Sequence, residues 1–174
     1  MSGRTPSCDA FVRDSQVALV RYAMLLCGSV VLAEDLVQDV LIKVYLRWDR
    51  ILAGDGDVHA YVRRAVTNEF LSWRRRWSTR HIRLVDAETL NAVSIDPWTG
   101  THDDELWQRL MQLPGQQRAA VVLRYYEDLD DAEIADTLGC RPGTVRGHIS
   151  RGLAALRQAS GTDVSNVERR PPDA

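Results

Sequence analysis

An all-α protein, two small helical domains joined by a linker, is what this sequence predicts. Three observations carry that reading. Apolar residues recur at three- and four-residue spacing through most segments, the period of a helix that buries one face. Strand-like alternation bounded by turns is missing. Between Ser78 and His102 the periodicity fades, and Asp96-Pro97 with Gly100 punctuates the gap as an interdomain linker would. The expected boundaries are 9–77 for the first domain, 78–102 for the linker, 103–158 for the second domain, and 159–174 for a flexible tail ending in DVSNVERRPPDA.

The first helix is expected from Asp9 to Leu26, offering Phe11, Ala18, Leu19, Tyr22 and Leu25 to a core, with Gly28 just past its end. A second runs from Val31 to Trp48 and stops at the loop LAGDGD, where Gly54 and Gly56 mark a break. The third spans Val58 to Trp77. In the second domain the spacing predicts helices over Asp103–Met111, Gln116–Tyr126, Ala132–Leu138 and Pro142–Gln158. Asp130 can cap the third of these, and Glu133 can reach back to complete a capping box. Ala135 is small where two helices must cross, Gly139 permits a tight turn, and Val145 with Ile149 gives the last helix an inward face. This is the sequence shape of a helix-turn-helix, although an unrelated helical hairpin would share its apolar pattern. Arg141 is a poor N-cap before Pro142, so the middle of the last helix is better defined than its start.

Composition narrows the function classes. The chain has 174 residues, 45% of them hydrophobic and 26% charged, which suits a soluble globular protein with one ordinary core or two small ones. No apolar run nears the roughly 18 residues that span a bilayer, and MSGRTPSCDAFVRD lacks the apolar stretch of a secretory signal. A cytoplasmic location without membrane association follows as the expectation. Cys8, Cys27 and Cys140 are odd in number and far apart, fitting neither a disulfide framework nor a zinc site. The net charge of −2 would argue against a nucleic-acid binder, but its distribution reverses the argument. Tyr61 to Arg83 carries seven Arg and one His against Glu69 alone, and Arg141 to Ser160 carries four Arg and one His against no acid. Leu84 to Asp136 holds twelve acids and three Arg. Segregated charge of this kind selects polyanions locally while the whole chain stays near neutral.

Three surfaces emerge as candidates. On a helical wheel of the first basic helix, Val58, Val62, Ala65, Val66 and Trp73 fall on one side, with Arg64, Thr67, Asn68, Leu71 and Arg75 opposite. The second side supplies Asn and Thr for base edges and Arg for phosphates, while Trp73 and Trp77 offer flat surfaces for an unstacked base. An ordinary solvated helix with core tryptophans is the competing reading. In the second helix Ala33, Val37, Val40, Val44 and Trp48 make a core stripe, yet Leu32, Ile42 and Leu46 point elsewhere, beside Asp35 and Asp39. An apolar stripe rimmed by carboxylates suits a partner's helix; a helix buried on several sides would look similar. On the last helix, Arg141, Thr144, Arg146, His148 and Arg151 face outward, suited to major-groove edges and flanking phosphates.

Four blocks in order, AEDLVQDVLIKVYLRW (33–48), YVRRAVTNEFLSWRRR (61–76), LPGQQRAAVVLRYYEDL (113–129) and AEIADTLGCRPGTVRGHISRGLAALR (132–157), resemble bacterial extracytoplasmic-function (ECF, group 4) sigma factors of the sigma-70 family. The resemblance runs from Phe11 to Arg157. It implies a sigma region 2, a linker, and a sigma region 4 that is a winged-helix-like helix-turn-helix. It implies that Leu32, Asp35, Asp39, Ile42, Lys43 and Leu46 dock on the β′ clamp helices of core RNA polymerase, with the β flap as a further contact. It assigns −10 opening and capture of a flipped base, which costs a few kcal/mol of unstacking, to Asp57, Arg64, Thr67, Asn68, Leu71, Trp73, Arg74 and Arg75. Arg141, Thr144, Arg146, His148 and Arg151 would read the −35 element. Arg141-Pro142 and Gly147-His148 depart from the usual pattern, which bears on −35 preference and leaves the fold intact.

No phosphate-binding glycine loop, metal-ligand cluster or nucleophile–base pattern stands out, so no cofactor and no covalent chemistry are expected. The resemblance implies a specificity subunit, monomeric when free, whose partners are core polymerase and promoter DNA, and it admits an anti-sigma factor. Two alternatives stay open on the sequence: a helix-turn-helix regulator that acts without polymerase, and a helical decoy that occupies polymerase.

Overall fold

The computed structural model describes residues 7–54, 56–81 and 104–158, with side chains 78–81, 104 and 158 left aside. Eight α-helices and no strands occur among these residues: α1 (Cys8–Cys27), α2 (Val30–Tyr45), α3 (Trp48–Leu52), α4 (Val58–His81), α5 (Asp104–Gln112), α6 (Gly115–Tyr125), α7 (Asp131–Leu138) and α8 (Pro142–Gln158). The chain divides into two compact units, 1–99 and 100–174. Of the expected linker only the first four residues are described, and they continue α4 to His81. The rest of it, with Asp96-Pro97, Gly100 and His102, and the tail 159–174 lie outside the described residues.

In the first unit, capping sets the helix ends. The Ser7 hydroxyl accepts from the Ala10 amide at 3.2 Å, and Gly28 closes α1 in the left-handed conformation at φ 76°, where a Cβ would be strained. Ser29 then caps α2, its Oγ 3.4 Å from the Leu32 amide, so two residues suffice to reverse the chain. α1, α2 and α4 pack pairwise. Their shared core takes Phe11, Leu19, Tyr22 and Leu26 from α1, Ala33, Leu36, Val37, Val40 and Val44 from α2, and Val62, Val66, Phe70 and Leu71 from α4. The short α3 was not expected; Trp48 begins it rather than ending α2, and stays buried against Phe11 at 5.4 Å between ring centroids.

In the second unit α6 packs on α7 and α8, and α5 on α8. The Asp130 carboxylate accepts from the amides of Ala132 (2.8 Å) and Glu133 (2.9 Å), while Glu133 returns to the Asp130 amide at 2.8 Å. Gly139 ends α7 at φ 64°, and α8 begins at Pro142, whose missing N–H costs nothing in a first turn. Ile134, Ala135 and Val145 are buried where α7 meets α8. Gly152 lets α8 lie close to α6: a Cβ there would stand 2.9 Å from Cγ2 of Val121. Arg118, almost fully buried, spends its guanidinium on the carbonyls of Met111 and Leu113, pinning the α5–α6 turn.

Candidate nucleic-acid interface

α4 turns a stripe of Arg64, Asn68 and Arg75 to the surface. These three match the expected polar face, but the expected phase of the helix needs correcting at two positions. Thr67 is fully buried, its hydroxyl 2.6 Å from the Tyr22 phenol and 3.1 Å from the Arg63 carbonyl. Leu71 is also in the core, only 6% exposed. Neither can touch DNA in this conformation, because α1 and α2 cover the side of α4 that carries Val62, Val66 and Phe70 and extends to both. Trp73 and Trp77 are half-buried and lie nearly parallel, with ring centroids 6.4 Å apart and planes at 25°. Arg74 sits with its guanidinium carbon 5.9 Å from the centroid of the Phe70 ring, and burial pushes its pKa below the usual arginine value. An arginine remains charged under such a shift, so Arg74 presents a partly desolvated cation, which attracts phosphate more strongly than a hydrated one.

Asp57 has a definite local duty. It caps α4, Oδ1 accepting from the His59 amide at 3.0 Å and Oδ2 from the Ala60 amide at 3.3 Å. It also lines a cavity of about 420 Å³ with Arg47, Arg50, Ile51, Gly54, Gly56 and Tyr61, between α3 and the start of α4. Arg47, Arg50 and the half-exposed Tyr61 were not singled out in the sequence. The available signal was two arginines just ahead of a glycine-rich break, a place where backbone can approach a ligand closely.

On α2 the expected exposure pattern holds for most positions. Asp35 and Asp39 are exposed, Ile42 and Leu46 are 52% and 77% exposed, and Leu32 is half-buried. Lys43 differs from a free docking cation: its Nζ is 2.5 Å from Oε2 of Glu69 on α4, and Glu69 also receives Arg76 at 3.1 Å. These hydrogen bonds and charges, opposed by burial, hold the Glu69 carboxyl below the usual range. Ile42 and Leu46 continue into a groove of about 870 Å³ between α2 and α1, which adds Val12, Val20, Leu41 and the exposed Tyr45.

On α8 Arg141, Thr144, Arg146 and Arg151 are exposed and His148 is half-buried. Asp131 on α7 takes an ion pair from Arg124 of α6 and a longer one from Arg146 at 3.4 Å. Burial, and then the charge of Arg151, depress the His148 pKa, which favours the neutral imidazole.

One unit thus joins a basic, aromatic-flanked helix to an acid-rimmed apolar helix, and the other is a helix-turn-helix with a basic outer face. Residues 11–80 match sigma-70 region 2, and residues 103–156 match sigma-70 region 4. The chain belongs to the sigma-70 family, among its extracytoplasmic-function RNA polymerase sigma factors. It is similar to the RNA polymerase sigma-E factor of Streptomyces avermitilis, 37% identical over 90% of this chain and 86% of that one. The corresponding factor of Streptomyces coelicolor is 35% identical over 96% and 95%. Among solved structures, the sigma factor RpoE in complex with the anti-sigma factor NepR from Bartonella quintana superposes with a TM-score of 0.71 at 26% identity, covering 88% of this chain and 98% of that one. The protein is therefore a subunit that binds core RNA polymerase and directs promoter-specific initiation through −10 and −35 elements.

Proposed function

We propose a division of that activity among the described surfaces. Asp35, Asp39 and Ile42 of α2 and Leu46 just past its end, with the half-buried Leu32 at their edge, dock on the β′ clamp helices. Arg64, Asn68, Trp73, Arg74 and Arg75, together with the cavity beside Asp57, hold the opened −10 strand and a flipped base. Arg141, Thr144, Arg146, His148 and Arg151 lie in the major groove of the −35 element, with the β flap against the second unit. The observation that carries this reading lies within one four-helix unit, where the carboxylate-rimmed apolar surface is on α2 and the Arg/Asn stripe is on α4. A protein that only bound duplex DNA would have no use for the first surface.

The same reading makes 9–77 and 103–158 the two working domains, a group 4 arrangement, with 78–102 spanning them and the free protein monomeric in the cytoplasm. It assigns the chain no covalent chemistry of its own. An anti-sigma partner fits as well, supported by the RpoE relative, whose structure holds one. Run-off transcription with core polymerase, with and without the chain, tests the activity: no promoter-specific transcript would refute it. Asp39→Arg tests the docking face, with loss of β′ co-purification and an unchanged melting temperature expected. Unchanged co-purification would reject that face.

A further inference from the structure

The outer face of α8 contains a local arrangement that its charge alone does not explain. Arg151 folds back along the helix, so that its Nη1 lies 3.3 Å and its Nη2 3.5 Å from where a Cβ on Gly147 would be. The same Nη2 is 3.4 Å from Nδ1 of His148. A guanidinium has donors and no acceptor, so Nδ1 must be the acceptor, and the ring proton belongs on Nε2. The depressed pKa of His148 agrees with a neutral ring. A Cβ at position 147 would make the guanidinium give by a few tenths of an ångström, enough to lengthen its 3.4 Å contact with Nδ1.

We infer that Gly147, His148 and Arg151 form one specificity-determining unit that presents only hydrogen-bond donors and selects guanine in the −35 element. The inference rests on the assignment of α8 to the −35 major groove. Gly147 seats the guanidinium, Arg151 fixes the imidazole, and His148 Nε2–H and the remaining Arg151 N–H groups face the DNA. Guanine shows two major-groove acceptors, N7 and O6, and no donor. Adenine and cytosine each place an amino donor there, and thymine offers one acceptor beside a methyl group. His148 and Arg151 are reading residues, and Gly147 is a positioning residue that acts through them.

The test uses the full-length chain with core polymerase on a promoter library randomised across the −35 element. Wild type is expected to favour guanine at a definable base pair. His148→Gln, whose amide both donates and accepts, should move the preference at that pair toward adenine. Gly147→Ala and Arg151→Lys should each relax guanine preference at the same pair by about tenfold, and together should do little more than either alone. Output that falls evenly across the library with base preference unchanged would overturn the inference, because a merely structural role predicts that result. So would relaxation at unrelated pairs. A wild-type library without any −35 preference is a different failure, which refutes the placement of α8 itself.

Discussion

Thr67→Val distinguishes a residue that holds the fold from one that touches DNA. The Thr67 hydroxyl has one hydrogen, and its 3.1 Å bond to the Arg63 carbonyl uses it. Tyr22, 1% exposed, is then the donor in the 2.6 Å bond that joins α1 to α4. Valine keeps the shape and removes the acceptor, leaving a phenol in the core with that bond lost. Such a loss costs about 0.5–1.5 kcal/mol. In a domain of 60–100 residues each kcal/mol moves the midpoint by about 4–8 °C, so a circular-dichroism melt of the full chain should fall by about 2–12 °C. Well below the lowered midpoint, capture of a single-stranded −10 oligonucleotide by the assembled holoenzyme should match wild type. A variant that melts normally yet loses −10 capture would refute the argument from burial.

Gly152→Ala should destabilise the second unit although alanine favours helix: the gain of about 1 kcal/mol is outweighed by the about 1–3 kcal/mol of crowding against Val121, 2.9 Å from the added Cβ. A melt in which Val121→Ala fails to relieve the loss would count against close packing as the cause. Asp130→Ala should cost about 1 kcal/mol and speed hydrogen exchange at the Ala132 and Glu133 amides, which lose their acceptor. Because the Glu69 carboxyl titrates below its ordinary value in the folded chain, its ion pairs add stability above the unfolded value and lose it as pH falls through the folded one. Glu69→Gln should therefore flatten the acid side of the stability profile, with an effect near neutral pH held to about 1 kcal/mol by the exposure of Lys43 and Arg76, each 57%. An unchanged acid limb would reject the pairing.

Helix ends were the most legible part of the fold because local chemistry writes them. Gly28 and Gly139 stand where the chain turns left-handed, and Asp130 with Glu133 forms the box their spacing suggests. α3 was invisible because five residues do not make a period. The errors on α4 have a common origin in a polar-looking wheel. Thr67 reads as polar, but its partner arrives from α1, 45 residues away, and no local pattern records that bond. Leu71 was pulled to the wrong side by its basic neighbours. The α2 surface was legible in its exposed members, since Ile42 and Leu46 fall outside the core stripe. The tie from Lys43 to Glu69 and the cavity formed by Arg47, Arg50 and Tyr61 depend on which helices meet, and spacing within one helix does not tell that.

The helix-turn-helix keeps its two duties on separate positions. Asp130, Glu133, Gly139, Val145 and Gly152 fix where α8 lies, while Arg141, Thr144, Arg146 and Arg151 stand in solvent and His148 at its margin. Exchanges among the second group cost the fold little, since surface changes away from caps and close contacts stay within about 0.5 kcal/mol. With α8 in the −35 element as proposed, retargeting to new promoters is open to single mutations that the scaffold tolerates, and the same separation would let an engineer redirect the protein by rewriting one helix face.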